Sequence, residues 1–460
     1  MSRVDRSVLP IPGPNAPFRF PQIHRRVLTN GLEVRAVSHR NVPVVCAVLI
    51  VPGGTAADPP DRPGLAAFTA DLIDEGSGGR SALDVSDDLA RYGADLDIDV
   101  GPDAIALSLT TLTPYLAPAV ALLAEMAIRP NLADPDIERV RKLRLERLRQ
   151  LRDHAPAVAE RALMRLLYRD HPYGHLGLGS ETAIEATTAA DIRSFHRGAF
   201  VPSGATIVIV GDAEPAELFA GVTDVFGGWE TPADAPRVNR HAGLVAPPLF
   251  PERRLAVVPR AGAAQSEIRI GHVCASRDTP DYHALVLLNM ILGGQFTSRV
   301  NLNLRQDKGY TYGVRTGFDL RRGLGPFALS TSVQTEVTAP AIREALREIE
   351  DIRGARPATA DELSMARASV TQGYPRGFET AQQVARGVGQ LALHGLSDHY
   401  FEEFVPRIEA VTLDEVGRVA AAYLDPARMV TLAVGDHQQI ASTLTTLNLG
   451  EPFVLSVLGQ

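Results

Sequence analysis

The chain has 460 residues, a length that predicts roughly three domains with room for sizeable hydrophobic cores. Apolar residues make up 45% and charged residues 22% of the sequence, a balance typical of globular proteins. The net charge is −8 and the chain has no acidic or basic tail, which argues against nucleic acid as the main ligand because phosphate binding needs clustered cations.

The N-terminal segment shows no targeting pattern. Residues 1–10 lack the apolar core of a signal peptide, and no apolar run approaches the length of about 18 residues that a membrane-spanning helix needs. We therefore expect a protein without a membrane partner that is cytoplasmic as the sequence stands, or periplasmic if a leader has been removed.

Short strands and longer helices are predicted along the first half. Residues 1–25 are rich in proline and polar residues and predict an extended arm. Two strands around Asn30-Gly31 predict a β-hairpin over 27–37, and a strand follows over 44–51. The elements predicted after the next loop are a helix from about 64, a strand over 104–111, helices over 114–123, 136–151 and 188–195, and a buried strand that ends in Gly211-Asp212.

The second half repeats this order of elements. The predicted elements are strands over 254–258 and 267–273, a helix over 282–292, a strand over 327–333, helices over 338–346 and 360–372, and a buried strand that ends in Gly435-Asp436. The separation along the chain between Asp212 and Asp436 is nearly the same as that between Pro118 and Pro340. A near-constant offset between matching elements indicates an ancient duplication.

The mixture of hairpins and helices, without strict βαβ alternation, predicts an α+β fold. We expect two homologous halves, each a mostly antiparallel sheet covered by helices. A proline-dense, aperiodic stretch marks the boundary between them. The predicted division is an N-terminal domain over 26–232, a linker over 233–252 and a C-terminal domain over 253–460.

Two segments bear on the chemistry of the chain. Residues 304–314 read Leu-Arg-Gln-Asp-Lys-Gly-Tyr-Thr-Tyr-Gly-Val, and residues 64–76 read Gly-Leu-Ala-Ala-Phe-Thr-Ala-Asp-Leu-Ile-Asp-Glu-Gly. The first resembles the substrate-clamping Arg/Tyr segment of the pitrilysin/insulinase-type (inverzincin) zinc metallopeptidases. The second resembles their zinc helix, which normally reads H-x-x-E-H. The resemblance covers about residues 20–440, with specific motifs in the second half and degenerate ones in the first.

The zinc helix of that family works by spacing. Two histidines at positions i and i+4 share one helix face and bind one zinc ion, and the glutamate beside them acts as general base on the zinc-bound water. In this chain the same positions are Ala67, Ala70 and Asp71. Alanine offers neither a ligand nor a base, so the resemblance implies a degenerate zinc site.

The downstream carboxylate of the family's ligand set falls on Glu146, within the helix predicted over 136–151. Its arginine neighbours equally favour a salt-bridging role on a solvated helix face. An oxygen-only site for another metal, built from Asp71, Asp74, Glu75 and Glu146, is a further alternative, although it needs another well-placed carboxylate.

The histidines do not replace the missing ligands. His171 and His175 have i, i+4 spacing, but Pro172 and a following glycine predict a turn rather than one helical face. His394 and His399 flank a glycine and are predicted to lie at the surface.

Arg305 and Tyr312 match the family's pattern of a glycine pair, a short helix, Leu-Arg and Gly-x-x-Tyr. The resemblance implies that they hold the substrate carbonyl beside the zinc, a role that suits a fixed fork of donors and a phenol. Tyr310 is a competing candidate at the wrong spacing. In an extended segment Tyr310 would share a face with Tyr312 about 7 Å away.

The resemblance therefore implies a non-catalytic subunit that lacks H-x-x-E-H, similar to the processing-peptidase-like bacterial heterodimers. We expect no metal or cofactor in this chain, inactivity when alone, and peptidase activity with a homologous partner that carries the zinc. The two halves would form a clamshell around a chamber for unfolded or short peptides. One alternative is a structural or assembly subunit of the same fold. The other, an enzyme active alone with an altered metal site, is disfavoured by Ala67 and Ala70.

Overall fold

The computed structural model describes residues 18–248 and 254–456, which form two six-stranded sheets covered by helices. The strands of the first half are β1 (His24–Val27), β2 (Glu33–Ser38), β3 (Val44–Pro52), β4 (Asp95–Val100), β5 (Ala104–Leu112) and β6 (Thr206–Gly211). Its helices are α1 (Leu65–Ala70), α2 (Ala82–Arg91), α3 (Leu116–Ile128), α4 (Asp134–Asp153), α5 (Ala155–Tyr168), α6 (Glu181–Ala186), α7 (Ala189–Ala199) and α8 (Pro215–Phe226).

The second half contains the other sheet. Its strands are β7 (Arg254–Pro259), β8 (Gln265–Val273), β9 (Val314–Phe318), β10 (Pro326–Gln334), β11 (Val430–Gly435) and β12 (Phe453–Val454). Its helices are α9 (Tyr282–Leu292), α10 (Arg299–Asn301), α11 (Thr338–Ile352), α12 (Ala360–Gly373), α13 (Ala381–His394), α14 (Tyr400–Ala410), α15 (Leu413–Tyr423) and α16 (His437–Leu444). A π-helical turn over Leu302–Asp307 directly follows α10.

The strand orders confirm the duplication. The first sheet runs β1-β2-β6-β3-β5-β4 and the second runs β12-β7-β11-β8-β10-β9, so a core of five strands has the same order in both. β6 pairs parallel with β2, β11 pairs parallel with β7, and the β3 and β8 pairings are antiparallel. The predicted α+β fold with two mostly antiparallel, helix-covered halves is therefore confirmed.

The outer strands of the two sheets differ. The predicted Asn-Gly hairpin is present as β1 and β2, and Gly31 adopts φ +88°, a conformation that glycine tolerates. β1 begins inside the predicted arm over 1–25, most of which lies outside the described residues. In the second sheet the corresponding position is taken by β12 from the C-terminal end of the chain.

A helix from each half packs on the sheet of the other half. Val384 and Val388 of α13 are buried against the first sheet, and Leu163 of α5 is buried against Leu432 and its neighbours in the second. Burial of apolar side chains on both faces explains why β6 and β11 are continuous buried runs. The predicted division with a linker over 233–252 stays a prediction. The linker separates the two sheets in sequence, but α5 and α13 each pack on the sheet of the other half.

No helix among residues 18–248 and 254–456 is long and apolar enough to cross a membrane. The compartment stays a prediction. The clamshell and its chamber, which involve a second chain in the resemblance, also stay predictions.

Candidate functional site

The helix that corresponds to the family's zinc helix begins at a buried carboxylate. Asp58 Oδ2 accepts a hydrogen bond from the Gly64 backbone N–H and Oδ1 accepts one from the Ala66 N–H, both at 2.7 Å. His175 Nε2 lies 2.9 Å from Asp58 Oδ2 and donates to it, because a carboxylate can only accept. Asp58 thus supplies an oxygen to the first amides of α1, which would otherwise have no partner.

The positions that hold the zinc ligands and the general base in the family are occupied by other side chains here. Ala67 and Ala70 are buried methyl groups. Asp71 is paired with Arg144 of α4, and the Arg144 side chain is only 5% exposed. Arg144 also donates to the Gly177 carbonyl oxygen at 2.8 Å and lies 5.2 Å from the centre of the Phe68 ring. A buried guanidinium therefore stands beside the degenerate helix.

The charge of Arg144 has a physical consequence for metal binding. Burial lowers the pKa of Arg144, and the neighbouring Asp71 carboxylate opposes that shift. Arginine keeps its proton under such conditions because its ordinary pKa is above about 12. A fixed positive charge beside the one remaining carboxylate, together with two methyl groups, does not fit a zinc ion.

Glu146 lies on a different face of α4 from Arg144. It is exposed and pairs with Arg149 at 2.5 Å, as expected for the salt-bridging alternative. Two residues along a helix correspond to a rotation of about 200°, so Glu146 points away when Arg144 points toward α1. Glu75 is likewise paired with Arg139. No group of three or more His, Cys, Asp or Glu side chains in the described part of the chain is placed to hold a metal ion.

The histidines follow the predictions except for His394. The 171–175 segment is a turn around Pro172–Gly174, and His171 Nε2 lies 2.8 Å from the Val245 carbonyl oxygen rather than beside His175. His399 is exposed as predicted. The surface position predicted for His394 is wrong: it is half-buried at the end of α13, and burial lowers its pKa to about 4.

His394 lines a cavity of about 520 Å³ between the first sheet, α13 and the loop after β9. Its wall contains two guanidinium groups that are each paired with a carboxylate, Arg386 with Asp97 at 2.8 Å and Arg321 with Asp319 at 2.7 Å. No local sequence signal indicates this cavity, because its walls come from parts of the chain that are far apart in sequence, as the Arg386–Asp97 pair shows.

The Arg/Tyr segment is fixed to the second sheet. Thr316 of β9 lies so close to α9 that a Cβ at Gly293 would overlap its hydroxyl group, which accounts for glycine there. Asn301 is buried, donates to the Val314 carbonyl oxygen at 2.7 Å and accepts from the Val314 N–H at 2.9 Å. An asparagine side chain with one donor and one acceptor thus pairs with the backbone of β9 as a strand would.

The two candidate side chains of this segment reach the surface. The Cζ atom of Arg305 lies 3.8 Å from the centre of the Phe296 ring, and Phe296 is itself 66% exposed. Tyr312 is 95% exposed. The Thr311 hydroxyl donates to the Ser332 carbonyl oxygen at 2.8 Å and so fixes the backbone beside Tyr312.

Tyr310 differs from Tyr312 in its surroundings. Tyr310 packs against the core of the second half, and its backbone N–H donates to the Leu304 carbonyl oxygen at 2.8 Å. The two tyrosines therefore do not share a face, which corrects the expectation of an extended segment. The structure leaves Tyr312 as the exposed phenol.

Family models match both halves. Residues 34–179 match the model for "Insulinase (Peptidase family M16)", and residues 186–370 match that for "Peptidase M16 inactive domain". The chain belongs to the insulinase family of peptidases. The first match contains the degenerate helix and Arg144, and the second contains Arg305 and Tyr312.

Some relatives of this insulinase-family chain are named as proteases, and one is named as a non-peptidase homolog. It is 27% identical to the uncharacterized zinc protease Rv2782c of Mycobacterium tuberculosis, over 81% of this chain and 84% of that protein. It is 20% identical to the non-peptidase homolog YmxG of Helicobacter pylori, over 86% of this chain and 93% of that protein.

Two solved structures have the same fold as this chain. A peptidase M16 inactive domain from Pseudomonas fluorescens superposes with a TM-score of 0.83 at 23% identity, over 90% of this chain and 98% of that one. A protease from Helicobacter pylori gives a TM-score of 0.84 at 19% identity, over 91% and 100% of the two chains.

Proposed function

We propose that this chain is the non-catalytic subunit of a heterodimeric zinc metallopeptidase that acts on unfolded or short peptides. The partner is a homologous chain that carries H-x-x-E-H and the zinc, and this chain contributes Arg305 and Tyr312 to substrate binding and transition-state stabilisation. The observation that carries the proposal is a contrast between the halves. Tyr312 is exposed and Arg305 lies half-buried on Phe296, whereas the positions of the zinc helix hold methyl groups and a carboxylate paired with Arg144.

The setting of Arg305 suits this role. Stacking on Phe296 uses the flat face of the guanidinium and leaves the N–H donors in its plane for a ligand. The Tyr312 hydroxyl adds a neutral donor. Two such donors can stabilise a carbonyl oxygen that becomes negatively charged when water attacks beside the partner's zinc.

The outer edge of β9 is occupied beside Tyr312. β9 begins at Val314, just after Tyr312, and is the last strand of its sheet. Asn301 binds both backbone groups of Val314, and the Thr316 N–H donates to the Gly293 carbonyl oxygen at 3.3 Å. A peptide that passes Tyr312 is therefore expected to be held by side chains rather than as a further strand on β9.

The alternative is a structural or assembly subunit of the same fold with no role in proteolysis. The existence of a relative named a non-peptidase homolog favours it. It gives no reason for Phe296 and Tyr312 to stay exposed, because a large exposed aromatic side chain beside an arginine is typical of binding surfaces.

We expect the isolated chain to hold no stoichiometric zinc. Its degenerate helix supplies one carboxylate, and that carboxylate is already neutralised by Arg144. Metal analysis of the purified chain after dialysis checks this. About one tightly held zinc ion per chain would contradict the proposed division of labour.

Mixing this chain with its zinc-bearing partner is expected to create peptidase activity that neither chain shows alone, because both halves of a composite site must be held in one frame. The partner is a chain with an intact H-x-x-E-H helix, sought first in the adjacent reading frame. Cleavage of an unstructured peptide is measured for each chain and for the mixture. Full activity of the partner alone would disprove the composite site.

A further inference from the structure

The turn that carries Arg305 is π-helical. Over Leu302–Asp307 the backbone hydrogen bonds join residues five apart instead of four. The Lys308 N–H donates to the Asn303 carbonyl oxygen at 3.0 Å, rather than to that of Leu304. A π-helical turn is less favourable than an α-helical one and occurs mainly as a single turn at functional sites. The chain therefore needs a specific interaction that favours this turn over a continued α-helix.

Asn303 supplies a candidate interaction. Its side chain is buried, and its Nδ2 donates to Glu348 Oε1 at 2.7 Å and to Glu344 Oε2 at 3.0 Å, both on α11. Glu348 is only 2% exposed, and its second oxygen accepts from Arg356. A buried carboxylate with a guanidinium partner and an amide donor is strongly fixed in place, since each partner would be costly to leave unpaired.

A second anchor holds the residues before the turn. Arg299 at the start of α10 binds both carboxylate oxygens of Glu362 at 2.6 Å and donates to the Pro357 carbonyl oxygen at 2.8 Å. α10 is therefore fixed independently of Asn303. Because α10 cannot shift to compensate, a change in the hydrogen-bond register of the next turn changes the position of Arg305.

We infer that Asn303 and Glu348 are positioning residues that hold the π-helical register and thereby place the Arg305 guanidinium on Phe296. A turn closed by hydrogen bonds between residues five apart contains one more residue than an α-helical turn, so relaxation to an α-helix changes the direction in which the following side chains point. Relaxation to an α-helix would thus turn Arg305 away from Phe296. The catalytic consequence rests on the proposed function, whereas the register itself does not.

The register is tested on the isolated chain by crystallography of the variants Asn303→Leu, Glu348→Leu and Glu348→Gln. Leucine at 303 removes both amide–carboxylate hydrogen bonds, and we expect the Lys308 N–H to move from the carbonyl oxygen of residue 303 to that of Leu304. Leucine at 348 leaves the bond from Asn303 to Glu344, so we expect a smaller effect there. Glu348→Gln keeps an oxygen that accepts from Asn303, while the half-exposed Arg356 can turn to water, and should keep the π-helical turn. A π-helical turn that survives in the folded Asn303→Leu variant would overturn the inference. So would its loss in Glu348→Gln.

The consequence for cleavage is tested in the complex with the zinc-bearing partner. We expect Asn303→Leu to lower kcat at least tenfold with KM changed less than about threefold, because a displaced guanidinium loses oxyanion contact more than substrate affinity. Glu348→Gln should stay within about threefold of the parent, and Gln306→Ala, an exposed change in the same turn, serves as the matched control. A shifted register with unchanged cleavage would leave the inference standing and count against the proposed role of Arg305.

Discussion

Arg305→Ala and Tyr312→Phe should each lower the kcat/KM of the assembled peptidase by roughly 10²–10³-fold, the loss typical of removing one oxyanion donor. Both side chains reach the surface, so neither change removes a buried contact of the core. Subunit association and the zinc content of the complex should therefore be unchanged. Steady-state kinetics on an unstructured peptide, with gel filtration and metal analysis of each variant, measure these quantities.

Tyr310→Phe is the matched control for Tyr312→Phe. Tyr310 packs against the core of the second half, and loss of its hydroxyl should change kcat/KM by less than about threefold. Arg305→Lys tests the geometry of the donor, because a lysine keeps the charge but not the planar fork. The proposed role fails if Tyr310→Phe is as damaging as Tyr312→Phe, or if Arg305→Ala leaves cleavage intact.

The duplicated fold could be predicted because its signals are local and repeated. Alternating strands, helical spacing and a Gly-Asp strand end at the matching place in each half are visible without knowledge of any contact. The packing of α5 and α13, each on the sheet of the other half, could not be predicted in the same way. Apolar periodicity indicates that a helix is buried on one face and does not indicate which sheet covers it.

Arg144 is one of many arginines in α4, but the sequence contains a signal that distinguishes it. Ile137, Val140, Arg144 and Leu148 follow the spacing of one buried helix face, so Arg144 occupies a position where an apolar residue is expected. The partner of this buried cation, Asp71, lies far away in sequence, on another helix. Periodicity can therefore flag the position, and only the fold supplies the partner.

Asp71→Ala should lower the free energy of unfolding by about 2–3 kcal/mol, because it removes the carboxylate that pairs directly with the buried Arg144 guanidinium. Arg144→Met should cost less, about 1 kcal/mol, because methionine fills the space with apolar atoms. The remaining Asp71 side chain, 43% exposed, can then be solvated by water. Urea unfolding of the isolated chain, followed by circular dichroism, measures both differences.

Glu146→Ala is the control for this comparison and should stay within about 0.5 kcal/mol of the parent, since Glu146 is an exposed residue on another face of the same helix. A chelator should leave the stability of the parent chain unchanged, because a guanidinium rather than a metal ion links α1 to α4. If Asp71→Ala were as mild as Glu146→Ala, Arg144 would not depend on the charge of Asp71. If chelation destabilised the parent chain, a metal ion and not Arg144 would hold the degenerate site together.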